Sequence, residues 1–339
     1  MKETLVASPL FTRITSFCNK HALIAPTDTV VVGFSGGPDS LFLLHVLTAM
    51  MPSEQIIAAH LDHGWRPESK DEAAWCKAVA ATLGVRCVLG HFDEYAHQLK
   101  NRGSKEDQAR QARRLFFTTI AQRYKANSVA LAHHADDQLE TFFIRLIRGS
   151  GLQGLAGMQP RQGIFIRPLL TLSKQEIVSF LDAHALPNAH KIYTIDPSNS
   201  SSLYLRNRIR HTLLPALTAC DQRANNNVHA AIAHIQEVDH YLDEQAQKAY
   251  EQLTTSIDHL PAQESLPLAG LQELHPLIRH RVLLLWLCKV HVPFTPSKAF
   301  FAEIERFLFQ SQASLCHAIA PGWVIHKKHG SAWCKKIDH

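Results

Sequence analysis

The feature that most constrains the fold is a run of β-branched residues that leads directly into a glycine-rich turn. Residues 27–34 read T-D-T-V-V-V-G-F, and residues 35–40 read S-G-G-P-D-S. A continuous apolar run bounded by turn residues is typical of a strand buried on both faces of a parallel sheet. The apolar stretch that follows, at residues 41–50, has the length of a helix. The sequence therefore predicts a strand–turn–helix unit here.

Short apolar runs continue to alternate with longer helical segments beyond this unit. Predicted strands lie at residues 27–34, 56–61, 85–89, 128–132 and 164–166, and predicted helices at residues 41–50, 71–83, 105–124, 136–147 and 173–184. This alternation predicts a doubly wound, mostly parallel α/β sheet. Further along, the pattern becomes mainly helical. We therefore predict an α/β domain at residues 1–215 and a mainly helical domain at residues 216–339, with a small hairpin near its end.

Composition narrows the class of protein. The chain has 339 residues, of which 46% are hydrophobic and 19% charged, so it can build a sizeable core without metals or disulfides. We find neither a signal-peptide pattern nor an apolar run of membrane-spanning length. Seven cysteines without a C-x-x-C pair predict reduced thiols in a cytoplasmic protein. A net charge of +5 permits an anionic partner without requiring one.

The glycine-rich turn has the features of an anion-binding site. Gly36 and Gly37 allow the backbone to approach an anion and to adopt positive φ, and the helix N-terminus adds partial positive charge. The serines can donate hydroxyl hydrogen bonds, the proline suits a first helical turn, and Asp39 can hold Mg²⁺. No lysine follows in the Walker A position, which disfavours transfer of a γ-phosphate. The predicted phosphate-binding residues are Ser35, Gly36, Gly37, Pro38, Asp39 and Ser40.

Two clusters of histidine and carboxylate residues follow later strands. Residues 60–66 read H-L-D-H-G-W-R, and residues 133–141 read H-H-A-D-D-Q-L-E-T. Ligands of an open α/β sheet bind past the carboxyl ends of its strands, so Asp62, His63 and Arg66 are expected beside the glycine-rich turn. The carboxylates of the second cluster suit Mg²⁺ or an ammonium group, and an acidic helix start without a ligand is the alternative. They are Asp136, Asp137 and Glu140.

Five ordered motifs resemble one enzyme family. S-G-G-P-D-S resembles the signature of the PP-loop, or N-type ATP-pyrophosphatase, superfamily. It is followed by H-L-D-H-G-W-R, H-H-A-D-D-Q-L-E-T, R-G-S-G-L-Q-G-L-A-G-M and R-N-R-I-R, which together resemble the tRNA(Ile)-lysidine synthetases over about residues 27–217. The resemblance implies a Rossmann-like catalytic domain followed by a tRNA-recognition domain.

The same resemblance implies a reaction and its partners. ATP would adenylate C2 of the wobble cytidine in tRNA(Ile) with a CAU anticodon. Free L-lysine would then attack C2, releasing AMP and pyrophosphate. The glycine-rich turn would hold the pyrophosphate, with Asp39 and Asp136 as ligands of Mg²⁺. Arg113 matches an arginine of the family motif E-x-x-A-R-x-x-R-Y and is assigned to ATP.

The remaining roles follow from the same family pattern. Asp137 and Glu140 would bind lysine, and Arg206 of R-N-R-I-R would lie near its carboxylate or near the ATP phosphates. Asp62 would orient the base or help to deprotonate the attacking amine. One of two histidines would relay a proton, since imidazole titrates near neutrality. These histidines are His63 and His133.

A basic helix face is the candidate surface for RNA. Three arginines lie at i, i+3 and i+4 of the helix predicted at residues 105–124, opposite an apolar stripe, and the loop at residues 100–105 is also basic. The arginines are Arg110, Arg113 and Arg114, and the stripe is Ala109, Ala112, Phe116 and Ile120. A solvated basic face is the alternative. Trp65 and Phe34 are candidates for stacking on a flipped base.

Other functions remain open at this point. A tRNA thiolase of the same superfamily would activate a base in the same way but deliver sulfur, and such enzymes typically need paired cysteines near the site. A synthetase that makes a small molecule and an RNA chaperone without catalysis are further alternatives. The sequence leaves the oligomeric state open, a homodimer included.

Overall fold

The computed structural model describes residues 1–65, 69–99, 103–184, 205–255, 265–311 and 315–337. Arg66 and the start of the basic loop, residues 100–102, lie outside these ranges. The chain divides into two compact units, Met1–Ile232 and Ala233–His339. The predicted domain boundary at residue 215 therefore falls inside the first unit.

The described part of the first unit contains a six-stranded sheet. Its strands are β1 (Val30–Gly33), β2 (Ile56–Asp62), β3 (Arg86–His91), β4 (Ser128–Ala130), β5 (Arg161–Gln162) and β6 (Phe165–Ile166). Their spatial order is β3-β2-β1-β4-β6-β5. Neighbouring strands are parallel, except that β5 runs antiparallel to β6. The predicted mostly parallel α/β sheet is confirmed.

Helices flank this sheet. They are α1 (Lys2–Val6), α2 (Pro9–Lys20), α3 (Pro38–Met50), α4 (Ser69–Thr82), α5 (Asp93–Ala96), α6 (Lys105–Arg123), α7 (Ala135–Ile147), α8 (Leu152–Leu155), α9 (Lys174–Ala183), α10 (Leu205–Arg208) and α11 (Leu214–Cys220). Short turns of 3₁₀- and π-helix lie at Ser53–Gln55 and Ile209–Leu213. The long helix α12 (Ala224–Thr255) contains the division between the units.

The central strand β1 is buried on both faces, as its valine run predicts. Val30 and Val32 belong to the hydrophobic core on one face, which includes residues of α2, α3 and α9. Val31 points to the other face and packs in the core that contains residues of α6. The apolar stripe predicted for α6 is confirmed, because Ala109, Ala112, Phe116 and Ile120 are all buried. The sheet is therefore covered by helices on both sides.

The described part of the second unit combines helices with a four-stranded antiparallel sheet. Its helices beyond α12 are α13 (Leu268–Glu273), α14 (Pro276–Lys289) and α15 (Lys298–Leu308), and its strands are β7 (Leu266–Pro267), β8 (Leu315–Ala320), β9 (Trp323–Lys328) and β10 (Ser331–Lys336). The strand order is β7-β10-β9-β8. The sequence predicted only a hairpin here, because the pairing of β7 with β10 joins segments far apart along the chain. None of the described helices of the protein has the length and apolarity to cross a bilayer.

Lys327 is a buried cation in this second unit. It is 4% exposed, and its Nζ donates to the carbonyl oxygens of Phe307, Leu308 and Gln310 at 3.3, 3.3 and 2.7 Å. These carbonyls lie at the end of α15, where a cation also interacts favourably with the helix dipole. We expect Lys327→Met to lower the free energy of unfolding by about 1–3 kcal/mol, because buried carbonyls lose a charged donor.

The neighbouring lysine supplies the control for that prediction. Lys328 is exposed, so Lys328→Met should change the free energy of unfolding by less than about 0.5 kcal/mol. Urea unfolding of both variants would measure the difference. Equal effects of the two substitutions would contradict the capping role of Lys327.

Candidate active site

The glycine-rich turn joins the end of β1 to the start of α3. Gly36 has φ of 82°, in the region that glycine alone adopts without strain. Gly37 is the N-cap of α3 with φ of −73°, so the predicted positive φ is found at the first glycine and not at the second. Gly37 has no side chain to cap the helix, and Pro38 follows at the start of α3. The first backbone N–H groups of α3 therefore remain available to an anion.

A buried serine shapes this turn. The hydroxyl of Ser40 accepts a hydrogen bond from the backbone N–H of Ser35 at 3.2 Å and donates to the carbonyl oxygen of Gly37 at 2.9 Å. Its side chain also lies 3.2 Å from the hydroxyl of Ser35. Ser40 is only 4% exposed, so its observed contacts hold the turn in shape. Ser35 is the more accessible hydroxyl of the pair.

Two of the predicted metal-binding carboxylates meet at one lysine. The Nζ of Lys174 lies 2.6 Å from both carboxylate oxygens of Asp39. The backbone N–H of the same lysine donates to Asp136 at 3.2 Å. Lys174 starts α9 directly after its N-cap, Ser173. The structure thus brings Asp39 and Asp136 to one point, with an ammonium group on Asp39.

The other two carboxylates are paired with arginines. Glu140 is fully buried, and its two oxygens accept from the Nε atoms of Arg206 and Arg210, each at 2.5 Å. The carboxylate of Asp137 accepts from Nη2 of Arg206 at 2.8 Å. Burial alone would raise the pKa of Asp137, but its electrostatic interactions with His134 and Arg206 hold that pKa below its usual value. Two carboxylates and two guanidinium groups therefore form a neutral set.

A histidine links these two groups of carboxylates. His134 is the N-cap of α7, and its backbone N–H donates to Asp137 at 3.0 Å. Its Nε2 lies 3.5 Å from Asp137 and 3.9 Å from Asp39. The glycine-rich turn and the start of α7 therefore form one continuous site at the carboxyl edge of the sheet, as expected for this class of fold.

His133 does not titrate near neutrality. Burial is the largest cause that lowers its pKa from 6.5 to about 4, and the charges of Arg167, Arg206 and Arg110 lower it further. The nearby carboxylate of Asp137 opposes this shift without reversing it. The expected titration near pH 7 therefore does not hold for this ring, and the role of His133 in moving a proton stays a prediction. The ring is neutral at pH 7 and can accept a hydrogen bond.

The pKa of His133 predicts how stability depends on pH. Between pH 6.5 and about 4 the unfolded chain binds a proton at this residue that the folded protein excludes, so the free energy of unfolding falls as the pH falls through this window. The full decrease from His133 is about 3 kcal/mol. His133→Gln should remove that part of the decrease in urea unfolding measured across the window.

An exposed histidine provides the matched control for this measurement. The His234 side chain is 77% exposed, so His234→Gln should retain the wild-type pH dependence. A His133→Gln curve that runs parallel to the wild-type curve over the whole window would contradict the assignment.

Asp62 lies on the other side of the glycine-rich turn, at the end of β2. Its carboxylate accepts from the backbone N–H of Gly64 at 2.7 Å and lies 3.8 Å from Nδ1 of His91. Burial raises the pKa of Asp62, but hydrogen bonds from Gly64 and Ser69 and the charge of His91 lower it overall. Its described contacts are therefore separate from those of the Asp39 and Glu140 groups.

Aromatic rings collect beside Asp62. The ring centroids of His63 and Trp65 lie 5.0 Å apart, and both rings contact Phe92, at 6.0 and 5.8 Å. Trp65 is 47% exposed and keeps a free surface. Phe34, the other predicted stacking residue, is 1% exposed and belongs to the core. Its side chain packs against Trp75, so the prediction for Phe34 is wrong.

Two residues of the site, Lys174 and Arg210, were not predicted from the sequence. Lys174 gave little signal, because a lysine after a helix N-cap is ordinary on its own. Arg210 could have been found, since it lies four residues after Arg206 in R-N-R-I-R and shares its helix face. Arg113 lies on an exposed position of α6. None of the seven cysteines, all of which lie in the described ranges, forms a disulfide.

Together, the sheet order, the turn after its central strand and the carboxylates after β4 define a Rossmann-like nucleotide-binding α/β protein. Residues 7–217 match the family described as the PP-loop domain, which is more than half of the chain. The chain belongs to the PP-loop family. Residues 266–333 match a second family, the TilS substrate binding domain.

Two curated relatives share one functional name. The tRNA(Ile)-lysidine synthase of Bacillus thuringiensis subsp. konkukian is 32% identical over 332 residues, covering 93% of this chain and 66% of the relative. The tRNA(Ile)-lysidine synthase of Bacillus subtilis is 39% identical over 210 residues, covering 60% of this chain and 43% of the relative. This chain thus spans slightly less than two thirds of the length of the first of these proteins.

A solved structure shares the α/β fold. It is the U34-tRNA thiolase NcsA from Methanococcus maripaludis with its [4Fe-4S] cluster, which covers 67% of this chain and 78% of its own length with a TM-score of 0.55. The two sequences are 18% identical. At that identity the similarity shows the fold alone.

Proposed function

We propose that this protein ligates free L-lysine to C2 of the wobble cytidine of tRNA(Ile) with a CAU anticodon, through an adenylated base, and releases AMP and pyrophosphate. The observation that carries the proposal is the position of the glycine-rich turn beside buried, ion-paired carboxylates at one edge of the sheet. The match to both a PP-loop domain and a TilS substrate binding domain supports it. The named relatives support it as well.

The turn is proposed to hold the β- and γ-phosphates of ATP. Open N–H groups at the start of α3 and the hydroxyl of Ser35 suit phosphate oxygens. Mg²⁺ usually binds one or two protein carboxylates and completes its shell with phosphates and water. Asp39 and Asp136, which both contact Lys174, fit that requirement. When bound, the metal would neutralise charge on the phosphates.

Lys174 is proposed to transfer its contact from Asp39 to the polyphosphate. Its ammonium group is paired with Asp39, which screens the carboxylate charge. Its side chain is 37% exposed, and a lysine side chain has several rotatable bonds, so it can move without a change in the backbone. The ammonium can then follow the negative charge of the leaving pyrophosphate.

The set formed by Asp137, Glu140, Arg206 and Arg210 is proposed to bind lysine. The set is already neutral, so a single extra charge would remain unpaired. Lysine whose ε-amine is deprotonated for attack carries one α-ammonium and one carboxylate, and its insertion lets the α-ammonium replace a guanidinium on Asp137 while its carboxylate takes Arg206. The neutral ring of His133 is proposed to accept a hydrogen bond from the attacking amine. Its pKa depends on the charges of Asp137 and Arg206, which indicates that the ring lies near the proposed lysine site.

The exposed ring of Trp65, supported by His63 and Phe92, is proposed to stack on the flipped cytidine. Asp62, at the same end of β2, would then orient the base. Residues 266–333 are proposed to contact the body of the tRNA. The protein is proposed to act in the cytoplasm. The proposed reaction is the same for a monomer and for a homodimer. Arg113 is proposed to bind ATP, as the family motif implies.

Incorporation of labelled lysine tests the proposal. The wild-type protein, a tRNA(Ile) transcript with a CAU anticodon, ATP and Mg²⁺ should give lysine-labelled tRNA with AMP and pyrophosphate as products. A transcript whose wobble base is uridine is the matched control and should remain unlabelled. Formation of ADP and orthophosphate, or labelling from a sulfur donor without lysine, would refute the proposal.

A further inference from the structure

A buried arginine of the first unit makes no contact with a carboxylate among the described residues. Arg167 follows β6 and is 4% exposed. Its Nη1 donates to the carbonyl oxygen of Gln159 at 2.7 Å, and its Nη2 donates to Oε1 of Gln162 at 3.2 Å. Its Nε has no hydrogen-bond partner among the described residues. A buried donor without a partner is costly, and its presence calls for a ligand or another cause.

Three further guanidinium groups interact electrostatically with Arg167. Phe165 packs in the core on the side of the sheet that α6 covers, and Arg167 follows directly after the end of β6. The guanidinium of Arg114 lies 4.5 Å over the ring of Phe165. Arg110 is one turn nearer the start of α6, which is the end closer to the carboxyl edge of the sheet. Arg110 therefore lies beyond Arg114 in the direction of the carboxyl edge, and Arg167 lies beyond Phe165 in the same direction.

The fourth arginine comes from α7. Nη1 of Arg145 donates to the carbonyl oxygens of Gly154 and Gly157 at 2.6 and 3.0 Å. The segment held by Arg145 continues to Gln159, which Arg167 holds. Both arginines therefore fix the same loop, while their positive charges remain without a described carboxylate contact.

The electrostatics agree with this geometry. Burial lowers the pKa of Arg167 to about 10, and the other causes are the positive charges of Arg110, Arg114 and Arg145. Burial also lowers the pKa of Arg145, followed by the charge of Arg110. Like charges repel one another, so four interacting guanidinium groups are destabilising unless an opposite charge offsets them. A bound anion would reverse the sign of that contribution.

We propose that Arg110, Arg114, Arg145 and Arg167 form a binding site for a backbone phosphate of the RNA substrate, beside the nucleotide that is modified. The inference rests on the proposed function, because it takes RNA as the substrate. It narrows the predicted basic helix face to two arginines of α6 and adds two from other elements. Arginine suits the task because its planar donors match phosphate oxygens.

The position of the cluster separates it from the ATP phosphates. The glycine-rich turn follows β1, and Arg167 follows β6, with β4 between them. Neighbouring strands are about 4.8 Å apart, so the two sites are about 10 Å apart along the sheet edge. His133 follows β4, and the charges of both Arg110 and Arg167 lower its pKa. An RNA strand bound at the cluster would therefore run past the reaction site. Its phosphate would lie on the opposite side of β4 from the glycine-rich turn.

Binding of tRNA to variants of α6 tests the inference. Arg110→Gln and Arg114→Gln replace exposed side chains, and Arg123→Gln, also exposed and on the same helix, is the matched control. Binding of a CAU-anticodon tRNA transcript is measured over a range of KCl concentrations without ATP or lysine. We expect each test variant to bind about 5–10-fold more weakly and to lose about 0.7–0.9 from the salt slope. The control should match the wild type.

Removal of one RNA charge provides a second, independent measurement. A methylphosphonate at the linkage next to the wobble base deletes the phosphate charge. It should weaken binding to the wild-type protein by a similar factor and add little to the loss in Arg110→Gln, because the two changes remove the same contact. Independent, multiplicative losses at every linkage tested around the wobble base would refute a shared contact.

The remaining outcomes are equally decisive. Weaker binding of ATP to Arg110→Gln and Arg114→Gln with unchanged binding of tRNA would assign the cluster to the nucleotide and overturn the inference. Unchanged binding of both ligands would show that Arg110 and Arg114 contact neither of them and would also overturn the inference. If lysine incorporation fails in the wild type but the arginine-dependent tRNA binding is found, the proposed function fails and the phosphate site stands.

Discussion

Glu140→Ala should lower the free energy of unfolding by about 3–5 kcal/mol, because it removes the buried partner of two charged groups. Glu140 is 0% exposed, and both of its oxygens are bound to arginine Nε atoms at 2.5 Å. Among the described residues, Arg210 then has a 3.9 Å approach to Asp137, and Arg206 retains its hydrogen bond to Asp137. Urea unfolding followed by far-UV circular dichroism at neutral pH measures the loss.

Two further variants separate charge from shape in this prediction. Glu140→Gln retains the volume and one acceptor oxygen, so its loss should be intermediate. Glu237→Ala removes a glutamate whose side chain is 80% exposed and should cost less than about 0.5 kcal/mol. A Glu140→Ala protein as stable as Glu237→Ala would show that the ion-paired set does not hold α7 to α10.

The parallel sheet was predictable because each buried strand carries its own signal. The valine run at Val30–Gly33 and the apolar run at Ile56–Asp62 are continuous, so burial on both faces is readable without any tertiary information. The sheet of the second unit was not predictable to the same extent. Leu266–Pro267 is two residues long and becomes a strand only through its pairing with β10.

The sequence predicts which residues form the site better than it predicts their charged partners and their pKa values. Asp39, Asp136, Asp137 and Glu140 follow strand ends, and position alone indicates that such carboxylates gather at the sheet edge. Their partners come from segments far along the chain, as Lys174 does from α9, and no local pattern specifies those contacts. The low pKa of His133 likewise results from burial and from distant arginines. Local sequence therefore identifies the acids but not the cations that balance them.

Asp39→Asn should abolish most of the reaction while it leaves the fold intact. In the proposed function Asp39 holds Mg²⁺ on the polyphosphate, and a bound metal supplies several kcal/mol of transition-state stabilisation. Loss of the charge should therefore slow the release of AMP and pyrophosphate by about 10²–10³-fold. The pair of Asp39 with Lys174 is partly exposed, at 25% and 37%, so the free energy of unfolding should change by less than about 1 kcal/mol.

The contrast between rate and stability is what makes this variant informative. Asp71→Asn alters an exposed aspartate at the start of α4 and should leave both quantities unchanged. If Asp39 binds the metal, raising the Mg²⁺ concentration should restore part of the Asp39→Asn rate, because the asparagine oxygen is a weaker ligand in the same place. If Asp39 only anchors Lys174, extra Mg²⁺ has no effect and Lys174→Met should reproduce the defect. A normal rate of pyrophosphate release from Asp39→Asn at limiting Mg²⁺ would exclude the carboxylate from the phosphate site altogether.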